Sequence, residues 1–335
     1  MYINCAGEFL KVYFVIVCWN NARLLEECLD SIHLQTYNNY SVIVVDNGST
    51  DNSVGLISEK YPNVKLIDNG QNDGFAIGNN VGIQEAMIDT QCQYIALLNT
   101  DARLEKNWLS TLVQFAEAHK KGASFQTPTA DYYNHLVLDS RGITINHQGS
   151  AVQLGYRQTN FAQLKTQKVF GVNAAAALYS RKFLETQPFG KDYFDSDLWM
   201  YLEDVDLAAR ATMMGWENWY VNMSMAYHMG SASSGKNPGF SVYMIYRNNL
   251  PVLIKNFPLI LVCMLFPGMI FADIKILHKL WRSKNYVTIR SMIRGRVHSV
   301  PMAFKFIAKR RKLKSMSVIS LVSLWRLMEP VEIFK

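Results

Sequence analysis

The side chains best suited to chemistry in this sequence are carboxylates set just past apolar runs, with one histidine. Asp101 closes Leu97-Leu98-Asn99-Thr100-Asp101. A carboxylate there can hold a divalent cation between itself and a diphosphate, or simply cap the helix that follows. Glu203 and Asp204 belong to Tyr201-Leu202-Glu203-Asp204-Val205-Asp206, the most acidic cluster of the chain. Neighbours on a helix cannot share a face, so their roles should differ. One can orient or pair with a cation, the other can act as general base; acids favoured by the helix dipole are the plainer alternative. Asp46, between Val44-Val45 and Asn47-Gly48, can accept hydrogen bonds from a ribose or a base imide, or cap a turn. His228 precedes a Gly/Ser segment running to Gly235, which fits a metal ligand beside a mobile lid or an ordinary structural imidazole.

One further stretch is dense in polar groups. Asn72-Asp73-Gly74-Phe75-Ala76 runs on to Asn79-Asn80. Gly74 frees the backbone ahead of a helix, whose N-terminal amides suit phosphate or carbonyl oxygens. Paired asparagines are poor interior helix formers, so Asn79 and Asn80 suggest recognition of a polar ligand. A capped, strained loop would look the same.

These residues need elements to position them. Val12–Cys18, Val42–Val45, Val64–Ile67 and Tyr94–Leu98 read as strands; helices are expected over Asn21–His33, from the caps at 49–51 to about Lys60, Phe75–Ile88 and Lys106–His119. That alternation predicts a parallel sheet covered by helices, with ligands at the carboxyl ends of the strands. Asp46 and Asp101 fall at such ends. Short strands are expected near 136–138 and 142–146, a small-residue run at 171–179, and a helix over Trp199–Met214 closed by Gly215.

The 335 residues are 49 % hydrophobic and 18 % charged, which excludes a disordered, collagen-like or coiled-coil chain. The net charge of +7 is divided unevenly. Residues 1–272 carry −5 and residues 273–335 carry +12. With an acidic body, nucleic-acid binding is not expected. Five cysteines without ligand spacing favour a reducing compartment. The apolar run Val12–Trp19 lacks a basic leader and a cleavage site, so it does not read as a signal peptide.

As an ordered set, the motifs resemble family 2 inverting nucleotide-sugar glycosyltransferases of the GT-A fold, rhamnosyltransferase-like branch. They are Cys18-Trp19-Asn20, Val44–Asp51, Asn72–Gly82, Leu98–Asp101, Gly171–Arg181, Tyr201–Arg210 and His228-x-Gly230-x-Ala232-Ser233. The resemblance covers roughly residues 10–250. It implies that Asp46 binds the base or ribose of a dTDP- or UDP-sugar, with Trp19 and Asn20 nearby. Asn72, Gly74, Ala76 and Asn79 would line the nucleoside pocket. Asp101 and His228 would hold Mg²⁺ or Mn²⁺ on the diphosphate, with Asn99 in place of the family's first acid and Thr100 where proline is usual. Asp204 matches the catalytic base and Glu203 its supporting acid. The loop at 171–175, normally glycine-rich, would meet donor sugar and acceptor. The donor expected first is dTDP-rhamnose. A UDP-hexose, N-acetylhexosamine or galactofuranose transferase uses the same motifs, and an inactive nucleotide-sugar-binding scaffold would keep them as well.

The C-terminal part is different in kind. Phe257–Ala272 is apolar for 16 residues with two prolines, short of the ~20 that span a bilayer. It could lie on the membrane, re-enter it or form a buried helix pair. Ile274, Leu277 and Trp281 then recur at helical spacing among Lys275, Lys279 and Arg282, and Val300–Ile307 repeats the theme before Lys309-Arg310-Arg311-Lys312. Basic amphipathic helices of this kind read as membrane-surface elements; a basic oligomerisation arm is the alternative. The expectation is a catalytic domain over 1–250, its donor half about 10–120 and its acceptor half about 121–250. A helical membrane-association segment over 251–335 would place it at the cytoplasmic face of the cell membrane, beside a glycan or lipid-linked glycan acceptor.

Overall fold

The strand and helix periods of the first hundred residues are realised in order. A computed structural model describes residues 10–230 and 239–328; the Ser/Gly segment expected to act as a lid lies outside the described residues. Strand β1 (Lys11–Cys18), helix α1 (Ala22–His33), β2 (Tyr40–Asp46), α2 (Ser53–Lys60), β3 (Lys65–Asp68), α3 (Gly74–Ala86) and β4 (Cys92–Leu98) follow one another. All three strand pairings, β1 with β2, β2 with β3 and β1 with β4, are parallel. Their carboxyl ends therefore lie along one edge. Val12, Phe14 and Ile16 pack to one face of the sheet with α1 and Trp108, while Val15, Val45 and Ile95 pack to the other with Ile83 of α3.

A second half extends the sheet. After β5 (Ala102–Leu104) and α4 (Trp108–Ala118) come β6 (Gly122–Gln126), β7 (Thr129–Asp131), β8 (Leu138–Ser140), β9 (Ile143–Ile145), β10 (Ala151–Gln153), β11 (Gln167–Val169) and β12 (Ala176–Ser180). Helices α5 (Arg181–Glu185) and α6 (Glu203–Met213) precede β13 (Glu217–Tyr220) and β14 (Ala226–His228). The eight-stranded sheet runs β11-β13-β6-β12-β4-β1-β2-β3. Strand β12 is antiparallel to β4, with Ala176 opposite Leu98. The residues leading into β12 thus reach the edge where β4 ends. A small sheet, β5-β14-β7-β8, stands beside it. This is the α/β, GT-A-like architecture that the sequence predicts.

The C-terminal helices are α7 (Phe240–Asn256), α8 (Leu259–Arg282), α9 (Tyr286–Lys314) and α10 (Leu321–Leu327). The expected boundary at residue 250 falls inside α7. One group of buried side chains joins Val205 and Ala209 of α6 to Val252, Leu253, Leu261, Leu265 and Phe306, so these helices share a core with the α/β body. Pro267 does not divide the apolar stretch: α8 runs unbroken for 24 residues, long and apolar enough to cross a membrane by length and composition.

Candidate active site

The parallel strands deliver their loops to a cleft of about 730 Å³. Trp19 follows β1, Asn47 follows β2, Asn72 and Gly74 open α3, and Asn99 to Asp101 follow β4; all of these face it. Gly74 has φ +82, and a Cβ there would sit 2.6 Å from the Trp199 carbonyl oxygen, so no larger residue fits. The Asn72 side chain turns the chain by accepting from the Gly74 amide at 3.0 Å.

The cation candidates come together through the small sheet. β14 pairs antiparallel with β5, setting His228 opposite Ala102 and next to Asp101. Asp101 Oδ1 lies 3.3 Å from His228 Nε2, and His228 Nδ1 lies 2.9 Å from Asp139 Oδ2. All three line the cleft. Burial works against a charged imidazole, but the hydrogen bonds to Asp101 and Asp139 outweigh it and bring His228 up to about 10. With its Nε2 proton released, His228 would present that nitrogen beside Asp101 at the cleft, and the Asp139 carboxylate on the far nitrogen is how ligating histidines are usually oriented. Among the described residues no three or more His, Cys, Asp or Glu side chains are placed to hold one metal ion together. Asp101 and His228 are the residues that would hold a divalent cation at the cleft.

Glu203 and Asp204 stand at the first turn of α6 and both line the cleft. The sequence predicts helix from Trp199, but the structure corrects this: Trp199, Tyr201 and Leu202 have φ of 63, 67 and 69°, and the helix starts only at Glu203. Left-handed backbone at bulky residues is costly. It is held from α7, where Asn248 Nδ2 donates to the carbonyls of Leu198, Met200 and Tyr201 at 3.0, 3.0 and 2.7 Å. Arg247 Nη2 donates to those of Asp197 and Leu198. Asp204 keeps partial exposure. Burial raises its carboxyl to about 6, against hydrogen bonds from the Val205 and Ala174 amides. Glu203 is pushed much higher, by burial first and by the Asp204 charge second. Its Oε2 has no hydrogen-bond partner among the described residues. The environments separate the two acids: Glu203 retains its proton while Asp204 ionises.

Eight of the expected residues, Trp19, Asn72, Gly74, Asn99, Asp101, Glu203, Asp204 and His228, line this one cleft. Four do not. Asn20, at φ 52, uses Oδ1 to accept from the Thr50 amide at 2.7 Å and so pins the loop after β2. Asp46 is buried, with Oδ2 taking the Ser49 amide at 2.8 Å and Oδ1 without a partner among the described residues. Ala76 is fully buried, its amide bonded to the Trp199 carbonyl. Asn79 turns back onto the Phe75 carbonyl at 2.9 Å. Its neighbour Asn80 bonds to the backbone of Phe194 at 2.7 Å, a structural contact. Sequence reasoning missed Asp139, which only the β7–β8 pairing carries to His228, and Arg157, on the wall at φ 65. The expected loop contributes Asn173, Ala174 and Ala175.

The arrangement has counterparts of known kind. Residues 13–187 match the model of glycosyl transferase family 2. The N-acetylglucosaminyl-diphospho-decaprenol L-rhamnosyltransferase of Mycobacterium tuberculosis is 26 % identical over 246 residues, 67 % of this chain and 78 % of that protein. The glycosyltransferase GlyG of Streptococcus pneumoniae is 32 % identical over 133 residues, 38 % of this chain and 40 % of its own length. Among solved structures, mannosyltransferase PcManGT of Pyrobaculum calidifontis, in complex with GDP-Man and Mn²⁺, superposes with a TM-score of 0.50 at 17 % identity, over 91 % of this chain and 85 % of that one. GalNAc-T7 with UDP, GalNAc and Mn²⁺ gives 0.56 at 15 % identity, over 73 % and 48 %. With the family model matched over more than half of its length and its strand-end loops gathered on one cleft, the chain belongs to glycosyltransferase family 2 and is a nucleotide-sugar glycosyltransferase.

Proposed function

We propose that the protein transfers rhamnose from dTDP-rhamnose to a hydroxyl of a lipid-linked or growing cell-surface glycan, with inversion, at the cytoplasmic face of the cell membrane. The observation that carries the chemistry is the pairing of Asp204 with Glu203 on the cleft wall. Asp204, raised to about 6, is ionised at neutral pH yet basic enough to take a proton. It accepts the proton of the acceptor hydroxyl as that oxygen bonds to the anomeric carbon. The bond from that carbon to the diphosphate oxygen breaks in the same displacement, and its electron pair leaves with the nucleoside diphosphate. Attack from the face opposite the leaving group inverts the configuration.

Asp101 and His228 are the residues that would hold a divalent cation, Mg²⁺ or Mn²⁺; when bound, it offsets charge on the diphosphate. Trp19, Asn47 and Asn72 supply the wall for the nucleoside. The left-handed Trp199–Leu202 loop fixes the base at the helix start before substrate arrives. Rhamnose and a polyprenyl-diphosphate acceptor are supported by the mycobacterial relative, which aligns across two thirds of this chain.

A thermal-shift and turnover screen of dTDP- and UDP-sugars with Mn²⁺ tests the reading. The expected result is stabilisation by dTDP-rhamnose and release of dTDP when acceptor is added. Turnover of a UDP-sugar instead would replace the donor; silence with every nucleotide sugar would remove the activity.

A further inference from the structure

Helix α8 has two unlike faces. Leu261, Leu265 and Met269 are 1–4 % exposed and pack into the core shared with α6, α7 and α9. Ile260, Met264, Ile270, Phe271 and Ile274 are 45–64 % exposed. At 100° per residue they fall within an arc of about 120° opposite the buried stripe. No side chain of the described residues covers this arc, and apolar surface of that extent on a soluble body marks an interaction site. Its far end is cationic, with Lys275, Lys279 and Arg282 all exposed. Helix α9 continues the pattern, its outward Ile293, Val297, Val300 and Phe304 interleaved with exposed Arg290 and Arg294.

We infer that α8 lies flat in the headgroup region of an anionic bilayer, and that the wall of the cleft away from the donor loops is mounted on it. The inference rests on the proposal that the enzyme works at a membrane and specifies how. Length and hydropathy alone would let α8 span. The inward stripe excludes this, because it is occupied by the catalytic body. At mid-helix, a Cβ on Gly268 would be 3.5 Å from Gln148 Cα, and one on Gly149 would be 2.9 Å from Met269 Sδ. A spanning α8 would drag the polar turn His147–Gly149 into hydrocarbon, where irregular backbone is not tolerated. An apolar arc with cations at its rim is instead the signature of an interfacial helix.

The mount is rigid. Arg296 of α9 grips Asp273 of α8 at 2.7 Å and reaches Asn249 Oδ1 of α7 at 3.1 Å, while Asn249 Nδ2 donates to the Gly149 carbonyl at 2.8 Å. The turn at Gly149 joins β9 to β10, whose Ile143, Ala151, Val152 and Gln153 line the cleft. An acceptor anchored in the bilayer by its lipid would therefore meet a cleft wall already seated at that depth.

Flotation of the full-length protein with vesicles tests this. Wild type should bind phosphatidylglycerol/phosphatidylcholine vesicles, bind phosphatidylcholine alone far less, and be released from membranes by alkaline carbonate. Met264→Asp/Phe271→Asp should bind the anionic vesicles more weakly by about tenfold or more. It should keep wild-type turnover of the donor with a water-soluble acceptor, which also shows that it is folded. Absence of vesicle binding by wild type, retention through carbonate as for a spanning helix, or undiminished binding by the variant would each overturn the inference. So would a wild-type dimer that the variant dissolves while vesicle binding persists, since the arc would then cover a second copy. Vesicle binding without nucleotide-sugar turnover would leave the surface standing and remove the transfer reaction.

Discussion

Asp204 and Glu203 have the same functional group one residue apart, and the structure gives them opposite tasks. Burial alone would neutralise both. The Val205 and Ala174 amides favour the Asp204 carboxylate, and its charge then holds the proton on Glu203. The base is active only when ionised, so protonation must stop it. As pH falls through about 6, kcat should drop with a slope of one proton, measured at saturating donor; a flat profile down to pH 5 would mean that Asp204 is not the group titrating. The residues legible in the sequence were those whose neighbours in the chain are also their neighbours in space. Asp101 and Asp204 announce themselves by lying at a strand end and a helix start. Asp139 could not, because its partner His228 is 89 residues away and reaches it only through the order of a four-stranded sheet.

At the scale of elements, the alternation of period-two and period-3.6 segments foretold the parallel half of the sheet almost strand by strand. It failed at Trp199–Leu202, where local pattern favours helix and a tertiary contact overrides it. One amide, Asn248 Nδ2, is shared by three carbonyls of that loop and holds three left-handed residues in line. Asn79 failed in the other direction: a helix-disfavoured residue looked like a ligand group but satisfies itself on its own helix. If the α7 contact sets the position of the base, Asn248→Ala should lower kcat by about 10–100-fold with little change in donor KM, since small misplacements of a reacting group are that costly. A variant with normal kcat and a lowered Tm alone would make Asn248 merely structural.

For the whole molecule, the charge division of the sequence takes on a second meaning. Part of the basic tail is spent on the acidic body. Lys305 and Lys309 pair with Asp197, and Lys309 also with Asp195. Beneath them Lys255 is wholly buried between Asp195 and Asp206 at 2.6 and 2.8 Å, and Asp206 also holds Arg210 of α6. Burial opposes the charge on Asp195, but Lys255 and Lys309 outweigh it and hold its carboxyl near 2. Removing one member strands the others, at a cost of about 3–5 kcal/mol. Lys255→Met should accordingly lower Tm by about 4–7 degrees in a thermal melt, and an unchanged Tm would show that the helices are not locked to α6 this way.

The account as a whole depends on Asp204 taking the acceptor proton. Steady-state transfer by Asp204→Asn at saturating donor, set beside nucleotide binding by the same protein, measures that step. The expected result is a loss of about 10²–10⁴-fold in transfer with nucleotide affinity intact; turnover within a few-fold of wild type would contradict it.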